Sequence, residues 1–254
     1  GGFLPTNSLD HIIKNNTQEI ILILSFLLSM LNIFFIYNLF TIKNVFKEHY
    51  EDFFIILLAI FFSILLLLSV DTLDIFQSFA NTLSSISNSG ISIGEIGNNF
   101  SLYLLFLTII GGSIISTTSG IKPLRIFILL KSSFTEIIKL VRPNNVFNQY
   151  ILYSDKKIDN ENIKLSFLVF ISFFISLFIL SGILLFDNVS FESSFKLSLL
   201  TLTNTSTSDL YGLDEFKFSN LLTSSKIFLI IFMTIAKIEL ISLFLIIKQM
   251  FFKN

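Results

Sequence analysis

Five apolar stretches set the pattern of the chain: Glu19 to Phe40, Phe53 to Val70, Leu102 to Lys131 with an interruption, Leu165 to Phe186, and Ile227 to Ile247. Crossing a hydrocarbon core takes about 20 helical residues, so each stretch is predicted to be a membrane span. Between the second and third lies a shorter polar helix candidate, Leu73 to Ile86, closed by Ser87-Asn88-Ser89-Gly90-Ile91. A span, a half-length polar helix, a Ser/Asn/Gly turn and another span are what a channel needs to hold backbone carbonyls at mid-membrane. Non-helical backbone is tolerated there only along a watery path enclosed by protein. Gly90 suits such a turn because it has no Cβ. Taken alone, the same residues also describe an ordinary surface turn. A second copy changes the balance. With Asn88 laid on Asn204, Phe79 falls on Phe195, Thr82 on Ser198, Ser89 on Thr205 and Gly90 on Ser206, and both copies lie between apolar runs. Internal repetition of this kind builds many membrane transport folds.

Composition agrees with the pattern. More than half of the 254 residues (53%) are hydrophobic and only 14% are charged, which excludes a soluble domain. The absence of Cys excludes disulfides and thiolate metal sites. A net charge of -1 predicts no nucleic-acid partner. The distribution of charge is more telling than its sum. Lys43 and Lys47 follow the first span; Lys122, Arg125, Lys131, Lys139, Arg142, Lys156, Lys157 and Lys164 follow or flank the interrupted one; Lys248 and Lys253 end the chain. The segments with the two polar turns hold Lys196, Lys217 and Lys226 among Asp71, Asp74, Glu95, Asp187, Glu192, Asp209, Asp214 and Glu215. The positive-inside rule therefore has the turns enter from the outer face and makes the basic connectors cytoplasmic. The carboxylates read either as a cation-concentrating vestibule or as a solvated rim.

Several positions within or beside the spans carry candidate chemistry. The chain opens Gly1-Gly2-Phe3 without Met, the arrangement found after Gly90 with its first part missing, and is expected to be a fragment. Asn32 and Asn38 in the first span are expected to pack against neighbouring helices or to face a pore. His49 and His11 read as interfacial residues rather than ligands. The interrupted span carries Gly111-Gly112-Ser113-Ile114-Ile115-Ser116-Thr117-Thr118-Ser119-Gly120, a composition poor for a continuous helix. It is either a segment that unwinds inside the membrane, suited to a gate, or a surface linker between two short elements. Lys237 in the last span would cost on the order of 3 kcal/mol at the bilayer centre, so it is expected to face protein or water. Glu239, two residues on, points to a different helix face. No nucleophile–base pair, phosphate-binding Gly-Lys-Ser/Thr or metal cluster is evident, so no enzyme is expected.

These motifs together resemble a known family. Gly111-Gly112 with the Ser/Thr run and Gly120-Ile121-Lys122-Pro123-Leu124-Arg125 is similar to the Gly-Gly-x-x-Gly-Ser-Thr-Gly-Gly-Gly-x-Lys-x-x-Arg segment of the Trk/Ktr/HKT potassium transporters, most closely the TrkH type. Arg142-Pro143-Asn144-Asn145-Val146 resembles its His-Pro-Asn-Ala-Val, and Ala236-Lys237-Ile238-Glu239-Leu240 its Gly-Arg-Leu-Glu-Ile/Val. Gly1-Gly2-Phe3 and Ser89-Gly90-Ile91 stand where its second and third filter sequences would fall.

The resemblance implies an all-α integral membrane protein of repeated helix, pore-helix, helix units with re-entrant filter loops. Residues 1–50 would end the second repeat, 51–150 would be the third with its gating span, and 151–254 the fourth. Potassium would be the substrate and no cofactor would be needed. The filter would comprise Gly1, Gly2, Asn88, Ser89, Gly90, Asn204, Thr205 and Ser206, with potassium held at Asn88, Ser89, Asn204 and Thr205. The gate would comprise Gly111, Gly112, Ser116, Thr117, Thr118, Ser119 and Gly120, with Lys237 projecting into the pathway beside it. The partners implied are membrane lipid, a second copy in a homodimer and a cytosolic nucleotide-binding (TrkA-like) regulatory subunit, at the bacterial inner membrane. One departure bears on the ion. Ser206 replaces the fourth filter glycine, disfavours a positive backbone angle and brings a hydroxyl among the carbonyls, a pattern associated in this superfamily with sodium permeation. The alternatives are thus a sodium-permeable member, a non-conducting relative, or a secondary transporter of another fold with Glu239 as its coupling carboxylate.

Overall fold

The structure, a computed structural model, describes residues 13, 15–41, 49–70, 73–94, 96–97, 100–142, 150, 157–207, 209–213 and 218–237. Among them the chain is helical, without named strands: α1 (Asn16–Met30), α2 (Ile33–Thr41), α3 (Tyr50–Ser69), α4 (Ile75–Ile86), α5 (Ser101–Ile110), α6 (Pro123–Val141), α7 (Asn160–Leu185), α8 (Phe191–Leu202) and α9 (Thr223–Lys237). The 20 residues of α3 and the 26 of α7 are long and apolar enough to cross a membrane. Their apolar faces point outward: Leu57, Leu68, Phe178 and Ile179 are exposed, as are Leu102 of α5 and Ile230 of α9. Polar side chains turn inward, with Ser78, Asn81, Thr82, Ser84 and Ser85 of α4 and Ser194, Ser198 and Thr201 of α8 buried. Apolar outside and polar inside is the arrangement lipid demands, and the chain is a multi-pass membrane protein.

The short helices α4 and α8 occupy the centre. α4 packs on α1, α3 and α5, and α8 on α5, α7 and α9. Ala80, Leu83 and Ile86 of α4 share one core with Phe26 and Met30 of α1, Ile55, Ala59 and Leu66 of α3, Leu104 and Leu107 of α5, and Leu199 and Leu202 of α8.

Two expectations about the first span are corrected. Glu19 to Phe40 is not one helix: α1 and α2 meet at 107°. Leu31 is extended, at φ -84 and ψ 156. The Asn32 N–H donates to Asp52 Oδ1 at 2.8 Å, and Asn32 Oδ1 accepts the Phe34 N–H at 2.9 Å. The Asn32 side chain therefore starts α2 as its cap instead of reaching a neighbouring helix or a pore. Asn38 does reach outward, its Nδ2 lying 2.9 Å from His49 Nε2. His49 is buried rather than interfacial, because Asp52, one turn on, lies 3.4 Å from its Nδ1 and Phe35 packs edge-on against its ring.

The interrupted span behaves differently. α5 stops at Gly111, where φ is +60, and α6 restarts with Pro123 in its first turn. Between them Ser113, Thr118, Ser119 and Lys122 are buried, so the segment is not a surface linker. Gly112 fits because a Cβ there would stand 2.5 Å from the Met30 carbonyl oxygen and 2.9 Å from Met30 Cα. Gly112→Ala is expected to destabilise by about 1–3 kcal/mol, the range for overpacking against atoms that cannot yield. Gly182→Ala, with open space around it, should be neutral or slightly stabilising; thermal unfolding of the detergent-solubilised protein compares the two.

Candidate functional site

The two polar turns are copies in geometry as well as in sequence. After α4, the N–H groups of Ser87, Asn88 and Ser89 donate to the carbonyls of Leu83, Ser85 and Ser84 at 2.8, 3.1 and 2.9 Å. After α8, those of Thr203, Asn204 and Thr205 donate to Leu199, Thr201 and Leu200 at 3.0, 3.1 and 2.9 Å. Asn88 and Asn204 take φ of 56° and 52°, the left-handed conformation that Asn tolerates better than other side chains and that closes a helix C-terminus. A hydroxyl pair then braces each turn, Ser87 to Ser89 at 3.0 Å and Thr203 to Thr205 at 2.8 Å.

The copies then diverge. Gly90 has φ +70, whereas its counterpart Ser206 is not among the described residues with positive φ. The Cβ of Ser206 accounts for that choice. Its hydroxyl donates to the Ser89 carbonyl at 2.6 Å, and a Cβ on Gly90 would lie 2.6 Å from the Ser206 carbonyl oxygen. Asn88 Nδ2 donates to the Thr108 carbonyl of α5 at 2.9 Å and to Thr205 Oγ1 at 3.3 Å. The structure thus brings Asn88, Ser89, Gly90, Asn204, Thr205 and Ser206 together. Gly1 and Gly2 lie outside the described residues, as do Glu239, Pro143 to Val146 and the basic positions Lys43, Lys47, Lys156, Lys248 and Lys253.

Two residues of α4 that sequence reasoning passed over hold the first turn in place. Asn81 accepts the Ile93 N–H at 3.0 Å and donates to the Ile93 carbonyl at 2.7 Å, and Ser84 Oγ accepts the Ile91 N–H at 2.7 Å. Their counterparts in α8 are Leu197 and Leu200, which can do neither. That mismatch between otherwise similar helices was the signal available in the sequence.

The segment between α5 and α6 lies against the second turn and the broken first span. Ser113 N–H donates to the Met30 carbonyl at 2.9 Å, Thr117 Oγ1 to the Ser29 carbonyl at 3.0 Å, and Ile33 N–H to the Ile115 carbonyl at 3.4 Å. Within the loop Gly112 N–H donates to Thr118 Oγ1 at 2.7 Å, and Ser116 Oγ lies 2.7 Å from that same hydroxyl. Gly120, at φ +84, lets Ile121 N–H return to the Ile109 carbonyl at 2.7 Å. The buried ammonium of Lys122 donates to the Thr118 carbonyl at 2.7 Å, with Thr118 Oγ1 at 3.2 Å and Ser116 Oγ at 3.3 Å. From the other side Asn204 Nδ2 reaches Ser119 Oγ at 3.3 Å, and Lys237 Nζ at the end of α9 donates to the Thr117 carbonyl at 3.0 Å. Two ammonium groups therefore flank one loop of carbonyls and hydroxyls, next to the paired turns.

Comparison with solved structures matches this arrangement to the crystal structure of the potassium transporter TrkH from Vibrio parahaemolyticus, at a TM-score of 0.84 over 99% of this chain and 56% of that one, with 20% identity. The chain has the TrkH fold. In sequence, an alignment 147 positions long that covers 52% of the chain is 29% identical to an uncharacterized cation transporter of Methanocaldococcus jannaschii and covers 31% of it. The chain thus spans about half or less of the length of these proteins. No protein-family model matches it. Within the TrkH fold, the clamp made by Asn81 is open to test. Asn81→Leu copies the residue found in α8 but strips Ile93 of both buried partners, and is expected to cost about 2 kcal/mol. A thermal midpoint lowered by several degrees in detergent would register that loss.

Proposed function

We propose that the chain belongs to a channel-like monovalent cation uptake protein of the Trk/Ktr/HKT superfamily. One observation carries the reading: two turns of the same backbone geometry meet beside a partly buried, non-helical loop inside an apolar bundle of the TrkH fold. Cations shed water against the carbonyls of Asn88, Ser89 and Gly90 and of Asn204, Thr205 and Ser206, completed by Gly1, Gly2 and a further repeat. Flow runs down the electrochemical gradient and is gated by Gly111, Gly112, Ser116, Thr117, Thr118, Ser119 and Gly120. The ammonium of Lys237, bonded to Thr117, raises an electrostatic barrier to a passing cation until the loop moves. In this reading residues 1–50, 51–150 and 151–254 belong to successive repeats. The protein works as a homodimer with a cytosolic nucleotide-binding subunit in the bacterial plasma membrane, and carries ions rather than transforming a substrate.

One contact favours a second reading for the ion. The Ser89 carbonyl already accepts the Ser206 hydroxyl at 2.6 Å, so fewer free carbonyls remain to replace the water around potassium. Sodium permeation fits a filter altered in this way. The decisive assay expresses the full-length gene in a bacterium lacking its own potassium uptake and follows radioactive rubidium and sodium. Ser206→Gly is expected to raise the rubidium-to-sodium ratio by about tenfold, the worth of one hydrogen bond. Lys237→Ala is expected to increase total flux several-fold with little change in that ratio. A well-expressed protein that carries neither ion in any of these forms would overturn the transport reading in favour of a non-conducting relative.

A further inference from the structure

We propose that Asp52, at the start of α3, is a positioning residue that sets the conformation of the loop between α5 and α6. The argument rests on backbone groups left over at the break between α1 and α2. Three N–H groups there have no helical partner, and each has found a different substitute. Phe34 uses the Asn32 side chain, Ile33 uses the Ile115 carbonyl of the loop, and Asn32 uses Asp52 Oδ1 at 2.8 Å. On the other side of the break, the carbonyls of Ser29 and Met30 take the loop's Thr117 and Ser113 N–H groups at 3.3 and 2.9 Å. The loop is therefore bound to the break, and the break is bound to Asp52.

Asp52 is itself held. It is 1% exposed, its Oδ2 lies 3.4 Å from His49 Nδ1, and the Ser113 side chain lies beside it. His49 in turn lies 2.9 Å from Asn38 Nδ2, near the far end of α2. The neighbouring carboxylate, Glu51 Oε2, accepts the loop's Ile114 N–H at 3.4 Å. The first turn of α3 and its cap residue His49 thus touch both ends of α2 and the loop. If Asp52 releases Asn32, the turn at residues 31–32 is free to re-form helix or swing, and Met30 and Ile33 lose their register with Ser113 and Ile115. Position rather than charge is what the Asn32 N–H needs, so an amide of the same shape should serve.

This inference rests on the loop being the gate, as proposed above, and its test does not depend on ion flux. These 254 residues hold no cysteine, so Ser119→Cys, with any cysteine elsewhere in the full-length protein replaced by serine, places a single thiol on the loop, buried at 6% exposure. The full-length protein in membranes is treated with a water-soluble methanethiosulfonate reagent and the rate of modification is followed. Asp52→Ala is expected to speed modification by about tenfold, and Asp52→Asn to restore a rate near that of the parent. Should the alanine variant fail to fold, Asp52→Glu, which displaces the carboxylate by one methylene, is expected to speed modification about threefold. An unchanged rate in Asp52→Ala, or in Asp52→Glu where only that variant folds, overturns the positioning role. So does equal acceleration in Asp52→Asn and Asp52→Ala. A changed rate without any change in flux would spare the role of Asp52 and count instead against the loop as the gate.

Discussion

Inside a bilayer a backbone group that leaves a helix has no water to turn to, and this constraint organises the molecule. Among the described residues two breaks in helix lie side by side, at residues 31–32 and 111–122, and each supplies partners that the other lacks. Met30 accepts from Ser113, Ser29 from Thr117, and Ile115 accepts from Ile33. Neither break would be tolerated alone in an apolar surround. Together they form a polar seam, closed at one edge by Glu51 and Asp52 and at the other by Lys237.

The same constraint explains the paired turns. A short helix ending inside an apolar bundle must dispose of its last carbonyls, and α4 and α8 do so with an Asn in the left-handed conformation followed by a folded-back N–H. What the two turns do next differs because their supports differ. The first is fastened by Asn81 and Ser84 and keeps Gly90 at positive φ. The second has leucines at those positions of α8, and its Ser206 leans across to the Ser89 carbonyl. A shared backbone geometry thus carries an asymmetry of side-chain chemistry, located where the two turns meet.

Much of this was legible in the chain itself. The length and composition of the apolar runs foretold α3 and α7, the two described helices long and apolar enough to cross a membrane. The repeated Asn with its Ser/Thr neighbours gave the turns, because few residues adopt their backbone angles. The Gly and Ser/Thr run at 111–120 marked a helix break, because those residue types disfavour helix wherever they stand.

What escaped was decided at a distance. Nothing in the apolar run from Glu19 to Phe40 announces a 107° bend; Asn32 bends the chain because Asp52, 20 positions on, receives its N–H. His49 is internal because Asp52, Asn38 and Phe35 surround it. Thr117 meets Ser29 across 88 positions, and Ser206 meets Ser89 across 117. Residue type and spacing by themselves determined that this is a repeated, helical membrane protein with two special turns and one interrupted span. Only the tertiary structure decided which of those features touch, because a hydrogen bond in an apolar interior is fixed by whichever partner the fold delivers and not by the residues beside it in the chain.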